Sequence, residues 1–177
     1  ISSIVTNLDL TLAQEGFYNS SQNSLNMNDT VSVYLKSINS PYQNIDSARG
    51  IIDSLSLTGN FIFRNAPSAN YYIVIKHRNS IETWSKAGGE VYVFGGVLSY
   101  DFTLSASQAY GNNLQLSGTK FCIFSGDVNQ DGTIDLADGS LIDNDAFNFN
   151  SGYLPTDVNG DGVTDLADAV YADINSF

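Results

Sequence analysis

A mostly β chain ending in a small helical unit is what this sequence predicts, on three observations. Residues 1–126 break into short runs rich in Val, Ile, Tyr, Phe and Thr, separated by Asn, Gly and Ser clusters, the texture of strands and turns. A twelve-residue pattern then occurs twice, as DVNQDGTIDLAD at 127–138 and DVNGDGVTDLAD at 157–168. The charge is also lopsided. Within a net −12, residues 127–177 hold eleven Asp and no Glu, Lys or Arg, whereas residues 1–126 hold eight acids against seven bases.

Ten strands are expected, at 4–12, 30–35, 55–57, 60–63, 71–77, 81–84, 91–94, 97–104, 113–116 and 120–124. In the first, Ile4, Thr6, Leu8, Leu10 and Leu12 share one face. Nine extended residues span ~30 Å, longer than the usual strand, so residues 1–6 are a candidate strand-exchange extension that adds to a neighbouring subunit's sheet. The other runs alternate over shorter lengths and are broken by Asn, Gly and Ser clusters. Ten short strands are too many for one flat sheet, and two antiparallel sheets packed face to face fit the length. The last run, Lys120-Phe-Cys-Ile-Phe124, reads as buried, and only Ser125 and Gly126 separate it from the acidic segment. With no Pro/Thr/Ser linker, the two parts, 1–126 and 127–177, are expected to sit as one body.

The repeated pattern has the register of an EF-hand-type calcium loop. Positions 1, 3 and 5 carry side-chain oxygens (Asp127, Asn129, Asp131 and Asp157, Asn159, Asp161), position 6 is Gly132 or Gly162, and position 12 is Asp138 or Asp168. Thr133 and Val163 at position 7 would offer main-chain carbonyls, while Asp135 and Asp165 at position 9 would hold a ligating water. A hard cation needs six to eight oxygens, so a short chain must curl tightly around it. Eleven like charges on so short a segment repel one another, and two Ca2+ ions would cancel four of them and turn binding energy into folding energy.

These residues resemble the type I dockerin family, a module of two EF-hand-like loops, each followed by a helix. The likeness rests on the DVN-x-DG openings, Asp at position 12, and the apolar residues Leu136, Leu141, Ile142 and Phe147, matched by Leu166, Tyr171, Ala172 and Phe177. It departs at position 8, where Ile134 is matched by Thr164, and at Gly139 inside the first helix. Thrombospondin-type calcium repeats share the spacing of acids but lack the apolar helical segments. Upstream, Gly59-Asn-Phe61-Ile-Phe63, then Pro67 and Tyr71-Tyr-Ile-Val-Ile75, resembles the carboxypeptidase-regulatory or prealbumin-like sandwich. Together the resemblances imply an Ig-like, prealbumin-like antiparallel β-sandwich followed by a small α-helical dockerin-like module with two calcium loops.

Catalytic signals are sparse. The chain has one His (His77), expected at a strand end, and one Cys (Cys122), which excludes an intrachain disulfide and reads as a core residue. No phosphate loop is present, a pI near 4.1 argues against nucleic acid, and no apolar run reaches the ~20 residues of a membrane span. The chain begins at Ile1 and reads as processed or partial, as a secreted protein would be. Asn19 and Asn28 stand in N-x-S/T sequons, and Thr30, Ser47 and Ser54 follow Asp in D-S/T-apolar triplets that resemble an O-glycosylation motif of secreted bacterial proteins, so attached glycans are expected at some of them. The resulting expectation is a non-enzymatic, secreted or cell-surface structural protein that assembles with copies of itself into a fibre. The alternatives are an attachment module that docks into a cohesin-like partner, or a sandwich that binds carbohydrate through Tyr71, Tyr72 or Trp84.

Overall fold

The computed structural model describes residues 4–176. In chain order the strands are β1 (Thr6–Thr11), β2 (Tyr18–Asn19), β3 (Ser24–Leu25), β4 (Asp29–Ser37), β5 (Asn44–Ile52), β6 (Thr58–Phe63), β7 (Ala69–His77), β8 (Ser80–Trp84), β9 (Glu90–Tyr92), β10 (Val97–Asp101), β11 (Gln115–Ser117) and β12 (Lys120–Cys122). Two short helices close the chain, α1 (Leu136–Phe147) and α2 (Leu166–Asn175). The architecture is mostly β and sandwich-like. One sheet has the order β10-β1-β6, the other β5-β4-β7-β8 with β9 also on β7, and β2–β3 and β11–β12 form small hairpins.

The core follows from the period-2 alternation. Leu8, Leu10, Phe61 and Phe63 face inward from the first sheet, Val31, Val33, Leu35, Ile73 and Ile75 from the second, and all are buried. Each such side chain contributes about 1.5–3 kcal/mol of burial energy. The Phe61-Ile-Phe63 strand behaves as its pattern suggests, with both Phe rings inside and Ile62 exposed. Cys122 is also a core residue, its thiol pushed up to about 12 by burial and by the neighbouring Glu15 charge.

Several expectations change. β10 runs parallel to β1, with Leu8 opposite Leu98, so the sandwich is not wholly antiparallel. β1 is paired on both edges, to β6 and to β10. Residues 6–11 are therefore engaged in the chain's own sheet; Ile4 is exposed, and residues 1–3 of the proposed extension lie outside the described residues. Residues 55–57 form a turn rather than a strand, because the Asp53 carboxylate accepts N–H bonds from Leu55 and Ser56 and closes the chain on itself. β5 was not expected. It is an edge strand whose side chains are mostly exposed or half-exposed, so NIDSARGII has no apolar stripe to betray it.

The acidic segment lies against the sandwich. Val128, Ile134, Ile142, Val158 and Ala172 make a second small core, on which Ile81 and Phe124 of the β region also pack. Backbone approaches closely at the seam. A Cβ on Gly16 would stand 2.2 Å from the Val158 carbonyl oxygen, and one on Gly126, at φ 129°, would stand 3.1 Å from the Ala172 Cα. Buried polar bonds complete the joint. Asn175 Nδ2 donates to Glu15 Oε2 (2.6 Å) and to the Ser125 carbonyl (2.8 Å), and Gly126 N–H donates to the Asn79 carbonyl (2.7 Å).

Candidate metal centre

Each repeated loop leads into a helix, and the same acids that would serve a cation also build that helix start. Asp135 and Asp165 are the N-caps of α1 and α2, accepting from Ala137 N–H and Ala167 N–H, and each forms a capping box with the Asp three residues on. Those partners, Asp138 and Asp168, are fully buried. Asp138 Oδ1 accepts from Val128 and Asn129 N–H (2.8 and 3.1 Å) and its Oδ2 from Asp135 N–H (3.0 Å). Asp168 repeats this with Val158, Asn159 and Asp165 (2.7, 2.9 and 2.8 Å). The position-12 carboxylates thus hold their loops closed by main-chain bonds.

The remaining positions curl as the spacing requires. Gly132 and Gly162 adopt φ of 93° and 86°, in the region open to glycine. Asn129 and Asn159 accept the N–H of Asp131 and Asp161, and Asp131 and Asp161 accept that of Thr133 and Val163. These residues, apart from half-buried Asn159, are solvent-exposed. Thr164, which breaks the apolar rule at position 8, is buried with its hydroxyl 3.2 Å from that of Thr156, so its polar atom has a partner.

Position 1 separates the two loops. Asp127 is buried; its Oδ2 accepts from Gly132 N–H (3.2 Å), and its Oδ1 has no partner. Burial first, then the charges of Asp138 and Asp131, push its carboxyl up to about 6. An orphaned, buried carboxylate oxygen among like charges suits a hard cation. Asp157 is equally buried, but its Oδ1 accepts from Gly160 and Asp161 N–H and its Oδ2 lies 3.4 Å from Arg78 Nη2. Burial raises its carboxyl, partly offset by that guanidinium. Among the described residues no three His, Cys, Asp or Glu side chains gather into a cage by themselves; Asn oxygens and carbonyls would have to complete the shell.

Arg78 belongs to a network that the sequence did not announce. Its Nε donates to Asp29 Oδ2 (2.9 Å), its Nη1 donates to the Asp157 carbonyl (3.1 Å), and it stacks 4.5 Å from the Tyr153 ring centroid. Asp29 also takes the Tyr153 hydroxyl and lies 3.0 Å from His77 Nε2. Burial opposes ionisation of Asp29, yet His77, Tyr153 and Arg78 outweigh it and hold the carboxyl well below the usual carboxylate range. Ser80 Oγ stands 3.2 Å from His77 Nδ1, so a Ser, a His and an Asp are in line. All three are buried, which denies a substrate access to the Ser80 hydroxyl, and Asp29 is shared with Arg78 and Tyr153. No signal in the local sequence joins residues 29, 78 and 157; only the fold does.

The expected modification positions differ in access. Asn28 and Ser47 are exposed, while Asn19, Thr30 and Ser54 are half-buried. Asn19 and Asn28 spend their side-chain oxygens on turn N–H groups of Ser21 and Ser54. No described helix is long and apolar enough to cross a membrane.

No family model matches the chain, and no curated protein matches it. Solved structures do. The chain is similar to a chain of a C-terminal interface mutant of the type II cohesin–X-dockerin complex from Acetivibrio cellulolyticus, with 16% identity and a TM-score of 0.54 over 97% of this chain and 95% of that one. An N-terminal interface mutant of the same complex gives 14% identity and a TM-score of 0.50 over 99% and 96%. At such identity the likeness concerns the fold.

Proposed function

We propose that this chain is a calcium-stabilised, non-enzymatic module of a secreted or cell-surface assembly, joined to a cohesin-like partner through its C-terminal dockerin-like loop–helix pair. The observation that carries the reading is what that pair leaves uncovered. Leu136, Phe147, Phe149 and Leu166 are 85, 83, 90 and 77% exposed, and Val170 and Ile174 are 50 and 63% exposed, beside a core of only five buried apolar residues. So much bare apolar surface on so small an acidic unit marks a protein contact. Leu136 and Leu166 occupy equivalent positions of the two repeats, so either repeat presents the same kind of anchor. Calcium, one ion per loop, would neutralise the crowded carboxylates and set the helices at a fixed angle. The pairing of β1 on both sides limits any donated strand to the residues before Thr6, whereas the bare apolar surface lies on the loop–helix pair, which is why docking is preferred to a self-assembling fibre.

The test is sedimentation and calorimetry of the full chain with a panel of type II cohesin modules. A calcium-dependent 1:1 complex that is lost on adding chelator, and lost in the Leu136→Asp, Leu166→Asp double variant, is the expected result. Unchanged complex formation by that variant, or self-polymers in place of a heterocomplex, would refute it.

A further inference from the structure

The outer face of the five-stranded sheet carries an aromatic cleft that the docking surface does not use. Lys36 on β4, Tyr72 and Lys76 on β7, and Glu82 and Trp84 on β8 follow the every-second-residue rule and so point away from the core, while Tyr71, one residue out of step, is buried inside with its hydroxyl donated to the Pro67 carbonyl. Two rings are added from outside the sheet. Tyr42 comes from the tip of the β4–β5 hairpin, at φ 57°, and Tyr110 from a short 3-10 turn, Tyr110–Asn112. A bulky residue in the left-handed region is uncommon and is held there only by its surroundings. Here it swings Tyr42 edge-to-face onto Trp84 (5.7 Å) and Tyr72 (6.3 Å), while Tyr110 meets Tyr72 at 6.0 Å. With Glu82 and Asn113 these rings line a half-open cleft of about 510 Å³, within the size range of small-ligand sites.

The charges around the cleft narrow its occupant. Glu82 accepts from Trp84 Nε1 (2.6 Å) and pairs with Lys36 (3.3 Å) and Lys76 (2.8 Å), and Lys36 Nζ sits 4.5 Å from the Trp84 ring centroid. A cationic ligand finds the indole face and the carboxylate already taken by lysines. An anionic ligand finds Lys36 and Lys76 already paired to Glu82, so neither ammonium is free to take its charge. A neutral ligand is left. It should offer apolar patches to the rings together with groups that both donate and accept, to suit the Glu82 carboxylate and the Asn113 amide. A pyranose ring does so, with C–H groups on its face and hydroxyls at its edge; a proline-rich peptide offers carbonyl acceptors but few donors.

We infer that the Tyr42–Tyr72–Trp84–Tyr110 cleft is a binding site for a neutral glycan chain, separate from the loop–helix docking surface. Trp84 is the sole tryptophan, so its emission reports occupancy directly. The experiment titrates the full chain, in calcium, with hexasaccharides of β-1,4-linked glucose, xylose and mannose, and in parallel with hexagalacturonate and decaproline. At least one neutral hexasaccharide should shift the Trp84 emission saturably. Tyr42→Ala and Tyr110→Ala, both at exposed positions that spare the core, should each weaken binding about tenfold, as loss of an aromatic anchor does. Leu136→Asp should leave it unchanged, which separates this site from the docking reading. The inference is overturned if no neutral hexasaccharide binds at millimolar concentration, if Tyr42→Ala binds as tightly as the parent, or if hexagalacturonate or decaproline binds in place of the neutral sugars.

Discussion

Replacing Arg78 by Met keeps a long, flexible side chain and removes the charge that joins the two parts of the chain. In the parent, Arg78 bonds Asp29 on β4 and both the carbonyl and carboxylate of Asp157, and packs on the Tyr153 and Phe17 rings. Asp29 would keep His77 and Tyr153, so its loss is partial; Asp157 would lose its cation altogether. Taking one partner from a buried ion pair costs about 3–5 kcal/mol, and the retained partners of Asp29 place the expected value at the lower end, about 3 kcal/mol. For a chain of this size that lowers Tm by roughly 6–12 °C. The assay is thermal unfolding in chelator, followed by Trp84 emission for the sandwich and far-ultraviolet circular dichroism for α1 and α2. Both probes should fall together in the parent, and the helical signal should fall first in the variant. Repeating it in millimolar calcium should recover part of the loss, since an ion in the second loop gives Asp157 a new counter-charge. A Tm within about 2 °C of the parent, or an equal loss with and without calcium, would refute the role assigned to Arg78.

Further outcomes follow from the same geometry. Calcium at a hundred times its Kd should stabilise the chain by ~2.7 kcal/mol per site, read as a shift in urea midpoint; Asp127→Asn should abolish the contribution of the first loop, and calorimetry of that variant should show one site fewer. In chelator, the raised carboxyl of Asp127, at about 6, and the raised carboxyls of Asp157 and Asp168 make the ion-free protein lose stability as pH climbs from the ordinary Asp range towards 6. The sign follows because the folded state holds those protons more tightly than the unfolded chain; the urea midpoint should therefore be higher near pH 4.5 than at 7.5, a slope that calcium removes. Asp29 acts oppositely: its depressed carboxyl contributes stability above the ordinary Asp range that fades as pH falls below it, and Asp29→Asn should flatten the acid limb of the midpoint profile. Gly16→Ala puts a methyl 2.2 Å from the Val158 carbonyl, so the seam must open; limited proteolysis should then release a fragment ending near residue 126.

What the sequence made legible was whatever had a local period. The Leu8/Leu10 and Phe61/Phe63 alternations state their structure within a few residues and formed where expected, and Gly132 and Gly162 take the positive φ that their register calls for; β12 is shorter than expected, at Lys120–Cys122, with Cys122 alone buried. The repeated acids were legible as a register, though not in their second role: D-x-x-D is also a capping box, so Asp135 and Asp138 start α1 as well as lining the loop. Features without a period were hidden. β5 carries Asp46, Ser47, Arg49 and Gly50 because an edge strand need bury little, and the Asp29 cluster draws on residues far apart in the chain.

That cluster decides how the two parts can behave. A tether would let an acidic loop–helix pair sample many orientations, but here Gly16 and Gly126 admit backbone to backbone, Asn175 reaches into the sandwich to Glu15, and Arg78 reaches out of it to Asp157. The burial of Glu15 raises its carboxyl despite the Asn175 and Ser125 bonds, so closing the seam carries a desolvation cost that those bonds offset only in part. A cation entering the second loop must therefore share Asp157 with Arg78, whereas the first loop offers Asp127 Oδ1 with no competitor. The first loop should fill at lower calcium than the second, and Arg78→Met should bring the two affinities together. Calorimetric titration of parent and variant reads both, and two identical sites in the parent would show that the guanidinium exerts no hold on Asp157.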